Sequence, residues 1–190
     1  MAMSLTSLLV PSYTQMLRAL SGWLDKAGKQ RPAAEAEALL SGRLAPDMYP
    51  LSSQVRFACF QAQEAVYRLR GEALPAALEQ VAREGRNAGE EPGSIADAQA
   101  RIREALSVLG DLGSDALDAG AERSITLALP NGLVFDMTGA QYARDWALAQ
   151  FYFHLITAYA ILRHHGIELG KADYVPHMFA YLRPGSMPQG

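Results

Sequence analysis

Four histidines, His154, His164, His165 and His177, and one cysteine, Cys59, are the side chains of this 190-residue sequence best suited to hold a metal or act as a nucleophile. Two imidazoles on one helix share a metal only when they are three or four residues apart, because only those positions lie side by side. His154 has no such neighbour. His165 returns to nearly the same face, but about 16 Å further along the axis, beyond metal-ligand reach. His164 faces elsewhere, and His177 lies past the helix and would need a chain reversal to join. The spacing therefore predicts no metal site, with His154 the only plausible ligand. Tyr152, Thr157 and Tyr159 surround it with hydroxyls, and Tyr13 from the first helix can meet them, so these residues are the candidate lining of a small-molecule pocket. The same aromatic spacing also suits a packed core. Cys59 falls on an apolar helical stripe, where burial raises a thiol's pKa and it behaves as a small hydrophobe. His164 and His165 end a helix, where the macrodipole favours an imidazolium. No phosphate loop, dinucleotide fingerprint, G-x-S-x-G elbow or H-E-x-x-H occurs, so no catalytic residue can be assigned.

The elements that must position these groups are helices. Length and a hydrophobic content of 49% fit one domain over residues 1–190 with a sizeable core. The first helix is expected from Pro11 to Lys26, with Pro11 in its first turn, Gly28 as its terminator, and a stripe of Tyr13, Met16, Leu17, Leu20 and Leu24. A short helix over Ala33 to Leu40 closes at Gly42. A second long helix runs from Pro50 to Gly71, with an apolar stripe through Cys59 and a polar face of Arg56, Gln63, Glu64 and Arg70. A weaker one covers Pro75 to Arg83, and GRNAGEEPG reads as a solvated loop. Ser94 and Asp97 cap a third long helix, on which Asp97 and Arg101 should form a surface pair.

The periodicity then changes to alternation. Ile125, Leu127 and Leu129 answer Leu133, Phe135 and Met137 across a three-residue Pro130-Asn131-Gly132 loop, which predicts a small hairpin packing its apolar face on the bundle. The last helix, to His165, is nearly all apolar from Trp146 to Leu162. That run falls short of the roughly 20 residues that span a bilayer and carries Gln150 and His154, so a helix buried on all sides at the bundle's centre is expected instead. Lys171 and Asp173 are expected to pair at the surface, and the tail to fray after about residue 183.

The charge balance, 17 basic against 20 acidic residues, gives no reason to expect nucleic acid or an anionic membrane as partner. The N-terminal MAMSLTSLLVPSYTQ lacks the pattern of a signal peptide. A lone cysteine allows no internal disulfide and fits a reducing cytoplasm.

The segments PDMYPLSSQVRFAC, QARIREAL and FYFHLITAYAILRHHGIELGKADY resemble a bacterial family of unknown function placed with the DinB-like helical bundles. The resemblance runs from about Leu5 to Tyr174, and FHxxTAYxILRxxGxxLGKxDY is its most specific part. It implies an all-α, DinB-like four-helix bundle, here with the hairpin inserted before the last helix, often a homodimer, and with no reaction known for the family. Relatives in the wider superfamily bind a divalent metal through three histidines, and some transfer groups to or from small thiols. Where such a relative offers its first histidine, this chain has Cys59, Phe60 and Gln61. Two readings follow: a bundle that binds a small molecule or its own copy without assignable chemistry, or a metal- or thiol-dependent enzyme of transferase or hydrolase type built on His154 with Gln61 or Cys59.

Overall fold

The computed structural model describes residues 4–129 and 131–186. Four long helices form the bundle: α1 (Leu5–Gln30), α3 (Leu51–Arg70), α5 (Ile95–Gly110) and α7 (Leu148–His164). Between them lie α2 (Ala33–Ala38), α4 (Ala76–Asn87), the hairpin β1 (Ser124–Ala128) and β2 (Val134–Thr138), and α6 (Gly139–Gln141); α8 (Lys171–Tyr174) follows α7. The bundle with an inserted hairpin is as the sequence predicts.

Helix α1 begins earlier and ends later than its proline and glycine suggest. Ser4 is the N-cap, its hydroxyl accepting from the Ser7 amide at 3.1 Å, and Pro11 lies inside the helix. A proline there forfeits one backbone bond. Gly28 continues the helix to Gln30. All five residues of the expected α1 stripe are buried.

The central element is α3, not the last helix. It packs against α4, α5 and α7, and Arg56, Gln63 and Glu64 of its supposed polar face are buried. Helix α4 supplies the extra cover: it continues to Asn87, taking up the start of the expected loop, and Gly85 meets Phe57. Helix α7 accordingly has a free side, with Phe153 57% and Ile156 50% exposed. It was expected to be buried all round, but a four-helix arrangement leaves each peripheral helix one outward stripe.

Ser94 and Asp97 form the expected capping box at the start of α5. Arg101, however, pairs with Glu84 and Glu104 rather than with Asp97, whose carboxylate is engaged by Ser94. The hairpin has the expected register, with Ile125 opposite Met137 and Leu127 opposite Phe135, and Leu129 N–H bonds the Leu133 carbonyl. Gly132 has φ +87°, while Pro130 lies outside the described residues. The cover is uneven: Ile125 and Leu127 are buried and Met137 is partly buried against the core, but Leu133 and Phe135 are exposed, so the hairpin packs only part of its apolar face. Its base is pressed onto α3, where a Cβ on Gly120 would strike the Leu69 carbonyl and one on Gly139 the Gly120 carbonyl.

From α6 the chain winds into α7 through a wider turn at Tyr142–Ala147, in which the Leu148 amide bonds the Ala143 carbonyl, five residues back. After α7 the chain docks on α1. Asp173 pairs with Lys26 at 2.6 Å instead of with Lys171, Trp23 Nε1 donates to the Asp173 carbonyl at 2.8 Å, and Tyr174 stacks on Trp23 at 5.9 Å. Residues 183–186 form an exposed turn, and 187–190 lie outside the described residues. No helix among the described residues is long and apolar enough to cross a membrane.

Candidate functional site

Helix α3 starts at Pro50, which fixes its first turn, and places Gln54 and Phe57 on the side facing α7. From α7, His154 reaches them: its Nδ1 is 2.9 Å from Gln54 Oε1, and its ring lies 5.0 Å from that of Phe57 and 5.3 Å from that of Phe153. The Gln54 amide nitrogen donates to the Tyr49 carbonyl at 3.1 Å, which turns Oε1 towards the imidazole. An amide oxygen only accepts, so Nδ1 carries the proton and Nε2 keeps a lone pair. Burial among aromatic rings disfavours the charged imidazolium and lowers the His154 pKa to about 4. The neutral ring can thus accept a hydrogen bond or offer one metal ligand at Nε2, which has no hydrogen-bond partner among the described residues.

The other sequence-derived candidates are spread over separate places. Tyr13 is buried against Phe151, ring centroids 4.7 Å apart, and the half-buried Tyr152 ring lies 5.4 Å from that of Phe151. Burial raises the Tyr13 pKa, and its hydroxyl has no partner among the described residues. The buried Oε1 of Gln61 is likewise unpartnered. Thr157 donates to the Phe153 carbonyl at 2.7 Å within its own helix. Tyr159 belongs to the docking of the tail: its hydroxyl donates to the Leu169 carbonyl and its ring lies 5.3 Å from Trp23. Cys59 is fully buried, and burial pushes its thiol up to about 12; the charges that bear on it come from Arg56 on its own helix and from Glu104 and Arg101 on α5. Neither these six residues nor His154 lines any of five surface clefts of about 350–400 Å³.

Among the described residues no group of three or more His, Cys, Asp or Glu side chains is placed to hold a metal ion. The neighbours of His154 are an amide and two phenyl rings, and His165 packs on Gly42, so this chain's donors do not fit a three-histidine centre. Gln54 and Phe57 were not among the sequence candidates. Their positions seven and four residues before Gln61, on one helical face, were the available signal.

The family model described as "Domain of unknown function (DUF1993)" matches residues 5–175. Among solved structures, a DinB family member protein from Shewanella denitrificans superposes with a TM-score of 0.72 at 30% identity, covering 97% of this chain and 96% of that one. No curated protein matches the sequence.

Proposed function

From the premise that the chain belongs to this DUF1993 family and shares a DinB fold, we propose that it is a self-associating bundle that offers a neutral small-molecule site at His154, with no reaction assignable. The observation that carries this reading is the free side of α7. No charged residue occurs between Trp146 and Leu162, and the exposed positions Ala149, Phe153 and Ile156 follow one another at helical spacing. The exposed ring of Phe135, 6.3 Å from that of Trp146, extends the stripe onto the hairpin. A partner with charges facing this stripe would have to desolvate them. A second copy brings the same uncharged surface, and a two-fold axis makes one such patch self-complementary. His154 lies at the margin of the stripe, walled by Phe57 and Phe153.

The enzymatic alternative draws no support from the geometry, since Cys59 is fully buried and no second strong donor stands beside His154 among the described residues. Light scattering at micromolar concentration tests the main reading: a particle of twice the 20.6 kDa chain is expected, converting to monomer in Phe153→Glu/Ile156→Glu with helical content unchanged. A wild-type monomer would refute self-association.

A further inference from the structure

A cleft of about 400 Å³ lies between α3, α4 and α5; α7 contributes no side chain to its lining, and it is independent of the self-association reading. One of its lining side chains is Arg56, only 5% exposed. Its Nη1 is held by the Ser52 carbonyl and hydroxyl, but its Nε–H has no hydrogen-bond acceptor among the described residues. Glu84 pairs with it only loosely, Oε2 lying 3.6 Å from Nε, while both Glu84 oxygens are hydrogen-bonded by Arg101, at 2.5 and 3.0 Å. A buried guanidinium short of one acceptor is costly and uncommon. The Nε–Nη2 edge is the one with which arginine grips a carboxylate in bidentate fashion. Beside it stands Gly93, at φ +69°, where a side-chain Cβ would lie 2.7 Å from Arg56 Nη2. A side chain at this position would crowd the Nη2 end of that edge, and glycine leaves it uncovered.

The rim has the opposite character. Glu91 makes no ion pair among the described residues, and Asp97 engages Ser94 through Oδ2 only. The cleft's two guanidiniums, Arg56 and Arg101, face the four carboxylates of Glu84, Glu91, Asp97 and Glu104, so its lining is net negative. A simple anion would satisfy Arg56 but be repelled by the rim; a simple amine would meet the rim and leave Arg56 short. We infer that the cleft binds a small zwitterion of amino-acid type, its carboxylate on the Nε–Nη2 edge of Arg56 and its ammonium at Glu91 and Asp97. The volume suits a compact metabolite.

Isothermal titration of the full chain with the proteinogenic amino acids, with acetate and n-butylamine as single-charge probes, tests this. At least one amino acid should bind saturably with a Kd below about 1 mM, both single-charge probes should fail, and Glu91→Gln, at the rim, should weaken binding by about tenfold. Arg56→Lys, which keeps the charge and loses the fork, should abolish binding. Should Arg56→Lys fail to fold, Glu91→Gln decides alone. No saturable amino acid, equal binding of acetate or butylamine, or an indifferent Glu91→Gln would overturn the proposal.

Discussion

His154 donates through Nδ1 to Gln54 Oε1 across the α3–α7 seam, at 2.9 Å, with a phenyl ring on each side of the imidazole. The folded chain therefore resists protonating this ring. Its pKa is lowered from 6.5 to about 4, so the unfolded chain binds the extra proton first. Stability contributed by the neutral ring is complete above about pH 6.5 and declines as pH falls towards 4, by at most about 1.4 kcal/mol per pH unit. Titration of the His154 ring by NMR should show a midpoint well below those of exposed histidines. A midpoint near 6.5 would contradict the burial argument.

Asp173 and Trp23 allow the forces that dock the tail to be ranked. The Lys26–Asp173 pair is close but partly exposed, so Asp173→Asn should cost under about 1 kcal/mol. Trp23 is buried, stacked on Tyr174 and bonded to the Asp173 carbonyl, so Trp23→Ala should cost about 3–5 kcal/mol. Urea unfolding of the two variants gives the ranking directly, and the reverse order would show that charge, not aromatic packing, holds the segment.

Gly139→Ala places a methyl group against the Gly120 carbonyl, which itself rests on the Leu69 backbone. Backbone on both sides cannot move as a side chain can. The variant should lose about 1–3 kcal/mol, a fall in Tm of about 2–4 °C for each kcal/mol. An unchanged Tm would mean that the hairpin base is looser than its contacts imply.

Cys59 should not react with a thiol reagent in the folded protein, because it is sealed and its thiol is held neutral. Reaction should follow the rate of unfolding. Rapid labelling under native conditions would reopen the thiol-dependent reading.

The bundle was legible because its stripes recur at helical spacing, and the hairpin because its alternation fixed a register that the pairing of Leu127 with Phe135 reproduces. What the pattern could not convey was which faces were left over. Arg56, Gln63 and Glu64 read as solvated because they are polar, yet α4 covers them; Phe153 and Ile156 read as core because they are apolar, yet nothing among the described residues covers them. Residue type states a preference, and only the count of neighbouring elements decides whether it is met. The candidate site was half legible for the same reason. His154 stood out as the lone imidazole on an apolar helix, while its partner Gln54, one of several glutamines, became visible only when α3 and α7 were brought side by side.

The wide turn at Tyr142–Ala147 governs that meeting. A turn closed five residues back holds one residue more than regular winding, so everything beyond it is rotated by about 100° relative to a continuous helix begun at Gly139. The turn is thus a phase adjuster for α7. The same residues wound as a regular helix would keep α7 in the same place with its rows turned by about 100°, so that the uncharged stripe would swing towards a neighbouring helix and His154 away from Gln54. The winding of this segment sets which side of α7 the protein presents to the outside.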